Sequence, residues 1–138
     1  MTEEIKKRDF IILGATLYGY IGNDKEVVVP EGVFSISNEM EWGDAERIVL
    51  PASLRYISAG AFDDCKNLKA LKFIDTTKNW YVYDTHDLTG EVNYCRSLYV
   101  GDDEEATAIS FKQGTRDLNA TCEDEPYDST GFRDGWER

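Results

Sequence analysis

Ile48-Val49-Leu50-Pro51-Ala52-Ser53-Leu54-Arg55-Tyr56-Ile57-Ser58 repeats a pattern found 21 residues earlier, in Val27-Val28-Val29-Pro30-Glu31-Gly32-Val33-Phe34-Ser35-Ile36-Ser37. The offset lays Pro51 on Pro30, Leu54 on Val33, Ile57 on Ile36 and Ser58 on Ser37. A third copy opens at Leu68-Lys69-Ala70-Leu71-Lys72-Phe73-Ile74, offset by 23, with Leu71 on Ile48 and Phe73 on Leu50. The run Ile48-Val49-Leu50 is short and apolar, and Pro51 stops it because proline has no N–H with which to extend a ladder; it reads as a brief parallel strand.

After the proline turn, Leu54 and Ile57 point inward again. Ala59-Gly60-Ala61-Phe62-Asp63-Asp64-Cys65 then places Ala61, Phe62 and Cys65 on one side at helical or 3₁₀ spacing, with Asp63 and Asp64 outside. The first copy departs here: it has Met40 and Trp42 where the second has the Ala61–Phe62 pair, and these fill the same volume. A period of 20–30 residues with one short strand per copy is the signature of a leucine-rich-repeat solenoid, in which no copy buries its apolar face alone. The expected repeat core is Val29, Ile36, Leu50, Leu54, Ile57, Ala61, Phe62, Cys65, Leu68, Leu71 and Phe73. Upstream, Phe10 to Asp24 reads as two strands joined near Gly14 and closed by a Gly-Asn-Asp turn, a hairpin that would cap the open end of the stack.

The segment RIVLPASLRYISAGAFDDCKNLKALKF (47–73), and less closely YIGNDKEVVVPEGVFSIS (20–37), resembles the BspA-type leucine-rich-repeat family, whose unit looks like LxxIxIPxxVxxIGxxAFxxC. The resemblance implies a right-handed solenoid with a parallel sheet on one face, used for adhesion and protein recognition. The expected fold class is thus β-rich α+β: a short right-handed leucine-rich-repeat solenoid with an N-terminal β-hairpin cap and an acidic C-terminal extension. All of it forms one structural domain, divided into a cap (1–23), repeats (24–75), a strand-rich closing segment (76–111) and an acidic tail (112–138). In the closing segment, alternating aromatic and polar residues predict three short strands around Trp80–Tyr83, Tyr94–Val100 and Ala108–Phe111. Ser97–Val100 is expected to be a further stacked strand that closes the sheet. From Gln113 onward apolar residues thin out, and the tail reads as loosely packed or ordered on a partner.

Charge narrows the function. The 138 residues carry 15 basic and 27 acidic side chains, a net charge of −12. Residues 1–100 hold 11 and 16 of these (−5), and residues 101–138 hold 4 and 11 (−7), so the excess gathers at the C-terminal end. Such a field repels nucleic-acid phosphate and anionic lipid, so neither direct nucleic-acid nor membrane binding is expected; a protein with a basic surface is the favoured partner. The apolar run Phe10–Tyr20 is far short of the roughly 20 residues that span a bilayer, and no signal-peptide pattern surrounds it. With Cys65, Cys95 and Cys122 widely spaced, reduced thiols or a single bridge plus a spare are both compatible, and a cytoplasmic location is expected.

Catalytic patterns are sparse. His86, in Asp84-Thr85-His86-Asp87, is the sole histidine, and no second histidine or cysteine pair completes a metal tetrahedron. Cys65 reads as a small core hydrophobe, and no GxSxG, P-loop or calcium-loop spacing occurs. Neither a cofactor, a metal nor enzymatic activity is expected. The leading expectation is a non-enzymatic protein-protein interaction module that uses the sheet face, its edge and the acidic end. The alternative is a small acidic inhibitor that mimics nucleic acid and fills the basic groove of a nuclease or other nucleic-acid-binding protein, as a phage-encoded counter-defence protein would. Partner-binding candidates are Asp102, Asp103, Glu104, Glu105, Glu123, Asp124, Glu125 and Asp128, with Tyr99, Tyr127 and Trp136 as aromatic anchors. An exposed strand at the end of a short stack also predicts a homodimer.

Overall fold

The computed structural model describes residues 9–85 and 92–122. It is a β-rich α+β structure with a mixed seven-stranded sheet, a parallel three-stranded sheet and one helix. The strands are β1 (Phe10–Leu13), β2 (Thr16–Tyr20), β3 (Glu26–Val28), β4 (Ser35–Ile36), β5 (Arg47–Leu50), β6 (Tyr56–Ile57), β7 (Ala70–Phe73), β8 (Trp80–Thr85), β9 (Val92–Leu98) and β10 (Asn119–Thr121); helix α1 spans Glu104–Gly114.

The copies expected from the sequence are neighbours. Val27 pairs with Ile48, and Ile48 with Leu71, in the parallel sheet β3-β5-β7, with the 21- and 23-residue offsets as its register. After each proline turn the chain crosses to the other sheet, where Ser35 and Ile36 of β4 lie beside Tyr56 and Ile57 of β6, again 21 residues apart. The turns are tied to one another as well. Ser53 Oγ accepts from Gly32 N at 2.9 Å and donates to the Val33 carbonyl at 2.8 Å, while Glu31 Oε2 accepts from Ala52 N at 2.9 Å.

The interior follows from strand alternation. Leu17, Ile36, Ile57, Ala120 and Val82 form one straight row across the large sheet, each completely buried. They share a single core with Val27, Ile48 and Leu71 of the small sheet, and all eleven residues expected in the repeat core are buried there. Between the sheets, the Ala59–Cys65 segment folds as successive three-residue turns: Ala61 N donates to Ser58 O, Asp63 N to Gly60 O and Cys65 N to Phe62 O, at 3.0–3.1 Å. Trp42 stacks on Phe62 at 5.7 Å and donates its indole N–H to Ala61 O at 2.8 Å. The degenerate first turn therefore fills its space with one large ring.

The hairpin β1–β2 is antiparallel, turns at Gly14 (φ +63°), and joins the large sheet through β2 beside β4. At the other side the parallel order gives way to β10, β8 and β9, all antiparallel.

Three expectations change here. Ala108–Phe111 is not a strand but lies inside α1. Asp103 caps the helix by accepting the Ala106 N–H at 3.1 Å, Glu104 and Glu105 occupy its first turn, and Ala108, Phe111 and Thr115 share its buried side. Phe111 seats between Phe73 (4.9 Å) and Trp80 (5.7 Å). Ser97–Val100 is not a stacked strand either; β9 ends at Leu98 and forms an antiparallel edge on β8. Nor does a loose tail begin at residue 112. Residues 119–121 form β10 inside the large sheet, Ala120 and Cys122 are buried, and the Cys122 thiol donates to Leu54 O at 3.4 Å.

The trailing ends of the two sheets differ: β6 has a further neighbour, while β7 ends the three-stranded sheet with β5 as its one strand partner among the described residues. β6 is continued by β10, and α1 packs against β7.

Candidate functional site

The alternation that buries Ile36 and Ile57 turns their neighbours outward. One row on the face opposite the core reads Thr16, Ser35, Tyr56, Thr121, Tyr81 and Ser97, and of these Thr121 is completely buried. Thr16 and Ser35 join hydroxyls at 2.8 Å, and Thr121 Oγ1 donates to Arg55 O at 3.1 Å. Phe34, just ahead of β4, stands 42% exposed with its ring 5.4 Å from that of Tyr56. Tyr83, from β8, lies on the same side as Tyr56, and burial together with the nearby Tyr56 phenol pushes its pKa above the ordinary tyrosine value.

These rings border a shallow concavity of about 310 Å³ whose polar rim is Ser35, Ser58 and Asn119. Asn119 is fixed in place, since its Oδ1 accepts the Ala59 N–H at 2.8 Å. Aromatic rings with neutral hydroxyls and an amide suit a surface that excludes water from a partner while still offering hydrogen bonds. They supply no activated nucleophile and no general base. None of Phe34, Tyr56, Tyr83, Ser35, Ser58 and Asn119 is among the partner-binding candidates that the sequence offers, although the Phe34-Ser35-Ile36 and Arg55-Tyr56-Ile57 alternations mark the outer positions beside each buried isoleucine.

The acidic candidates are distributed differently. Asp102, Asp103, Glu104 and Glu105 gather at the N-terminus of α1, and two of the four are engaged within the chain. Asp103 caps the helix, and Glu104 takes Arg47 Nε at 2.8 Å and Nη2 at 3.2 Å. Arg47 also pairs with Glu26, so a single guanidinium ties the helix to β3 and β5. Its hydrogen bond holds the Glu104 carboxyl below the usual range, and Glu104 raises the Arg47 pKa in return. Asp102 and Glu105 are exposed, as is Tyr99, whose hydroxyl accepts the Asp103 N–H at 3.4 Å. Glu123, Asp124, Glu125, Tyr127, Asp128 and Trp136 lie outside the described residues, as does His86.

Among the described residues, no group of three His, Cys, Asp or Glu side chains is placed to hold a metal ion, and no helix is long and apolar enough to cross a membrane. Burial pushes the Cys65 thiol up to about 11, in keeping with a core position. No family model, curated protein or solved structure matches the chain.

Proposed function

We propose that this protein is a non-enzymatic protein-binding module: a short, right-handed, leucine-rich-repeat-like solenoid, capped by the β1–β2 hairpin, that receives its partner on the outer face of the seven-stranded sheet. The 21-residue register in both sheets supports the solenoid reading, because each return of the chain adds one strand to each sheet. The observation that carries the functional reading is the aromatic concavity, in which Phe34 projects into solvent beside Tyr56 and Tyr83. Exposed aromatics bordered by polar groups are the composition of interface hot spots.

The second reading, a nucleic-acid mimic acting on a basic groove, draws on the charge of −7 in residues 101–138. Its described share rests on Asp102 and Glu105, since Asp103 and Glu104 are occupied within the fold.

Affinity capture from the host cell with mass spectrometry tests both, using the wild type, Phe34→Ser, and the charge reversal Asp102→Lys/Glu105→Lys. The module reading expects a partner retained by the wild type and the charge reversal, lost by Phe34→Ser, and insensitive to salt. A partner retained by Phe34→Ser but released by charge reversal and by moderate salt overturns it in favour of mimicry.

A further inference from the structure

Strand β1 is an edge of the large sheet: among the described residues its one neighbour is β2. Natural edge strands are usually guarded by lysine, proline or a covering element, because unpaired N–H and C=O groups recruit other strands. Among the described residues β1 has no lysine, proline or covering element; its one irregularity is a bulge in the pairing with β2 between Ile11 and Ile12, whose extra residue, Tyr18, lies on β2 and leaves the alternation of β1 unbroken. Its sequence is Phe-Ile-Ile-Leu, and no charged residue occurs from Phe10 to Asn23 in a chain that is 30% charged. Ile11 (46%), Leu13 (66%) and Ile21 (69%) stand exposed on this hairpin, while Phe10 and Ile12 are only partly buried against the core.

The main chain fixes what fits. Asp9 O accepts the Ile21 N–H at 2.7 Å, so antiparallel alternation directs the N–H and C=O of Phe10 and Ile12 to the open edge. We infer that β1 is a homodimerisation edge, filled by the β1 strand of a second copy in antiparallel two-fold pairing centred on Ile11. Phe10 then exchanges both main-chain hydrogen bonds with Ile12 of the second copy, and the symmetry repeats the exchange. On the inner side Phe10 covers Ile12 of the second copy, completing two half-buried side chains. On the outer side Ile11 meets its own image, where Gly19 lies beneath it; a Cβ on Gly19 would stand 3.0 Å from Ile11 Cδ1.

Charge argues for a second copy rather than a charged peptide. Two chains of −12 repel each other at long range, and pairing through this stretch, which carries no charge, adds no contact between like charges. The dimer must therefore tighten as salt screens that repulsion. This edge is separate from the aromatic concavity, so Phe34→Ser leaves the dimer intact.

Analytical ultracentrifugation of the full chain over a concentration series tests the inference. The mass is expected to rise from 15.7 kDa towards twice that value, and more readily at higher salt. Ile11→Lys, with its fold checked by circular dichroism, is expected to weaken association roughly tenfold or more. In a Cys95→Ser background, Ile11→Cys is expected to cross-link under mild oxidation, because the symmetry axis sets the two side chains face to face, while exposed Asp117→Cys does not. A wild type that stays monomeric at high concentration and moderate salt overturns the inference. So does an Ile11→Lys variant that dimerises as the wild type does, or an Ile11→Cys variant that cross-links no better than Asp117→Cys.

Discussion

Replacing Trp42 by phenylalanine isolates the contribution of the irregular first turn. Trp42 is completely buried, stacked on Phe62, and its indole N–H is the donor to Ala61 O. Phenylalanine keeps the stacking but removes the donor, leaving a buried carbonyl without its partner at a cost of about 1–1.5 kcal/mol. The smaller ring also gives up transfer energy and leaves a cavity that a tightly packed core closes only in part, adding about 1–1.5 kcal/mol. The sum is about 2–3 kcal/mol, which for a chain of this size lowers Tm by roughly 8–12 °C. Urea unfolding followed by far-ultraviolet circular dichroism measures it without relying on the fluorophore being changed, and the m-value should be unaltered. Phe34→Leu, at an exposed aromatic, is the control and should stay within about 0.5 kcal/mol of the wild type. A loss below about 1 kcal/mol for Trp42→Phe at unchanged m would refute the claim that this indole replaces the Ala-Phe pair of the next copy.

Three further outcomes follow from the same geometry. Phe111→Ala is expected to cost about 3–5 kcal/mol, whereas exposed Ile109→Ala costs about 0.5 or less; two residues two apart share a face on a strand but not on a helix, so equal losses in urea melts would contradict α1. Glu104→Gln is expected to cost roughly 0.5–1 kcal/mol at neutral pH. Because the folded carboxyl titrates below its unfolded value, that contribution is present above the unfolded pKa and disappears as acid protonates Glu104 through its lowered folded pKa. The wild-type and Glu104→Gln stability curves should therefore converge in acid, and a gap that persists there would exclude the Arg47 pair as its source. Cys65, buried with its thiol pKa near 11, should resist iodoacetamide at pH 8 in the native protein and react on denaturation, as peptide mapping would show.

Legibility in the sequence followed the range of the forces involved. The two parallel ladders were readable because Pro30 and Pro51 end equivalent runs and the same apolar positions recur 21 residues apart, so local pattern and long-range pairing agree. At Ala108-Ile109-Ser110-Phe111 the expected strand is a helix because period-two alternation there coincides with half of a helical pattern. Asp103 followed by Glu104 and Glu105 was the deciding signal, a capping residue with acids in the first turn. Within the acidic quartet the structure adds what the sequence does not show, that Asp103 caps the helix and Glu104 pairs with Arg47. The three-residue β10 has no local signature at all. It exists because β6 and β8 both offer it hydrogen bonds, and because Ala120 is small enough to sit between Ile57 and Val82.

That dependence ties the three parallel copies to the antiparallel strands that follow them. In the last copy Leu71 and Phe73 are buried with no further strand beside β7 among the described residues. Phe111 from α1 and Trp80 from β8 pack on Phe73, while β10 completes the hydrogen bonds of β6. The described residues after Ile74 thus share one core with the parallel copies, with Trp80, Val82, Leu98, Ala108, Phe111 and Ala120 all buried in it. The same antiparallel closure brings Tyr83 and Asn119 alongside Phe34 and Tyr56. Continuing the large sheet past β6 and building the aromatic concavity therefore depend on the same strand, and a change that unseats β10 must damage stability and the concavity together.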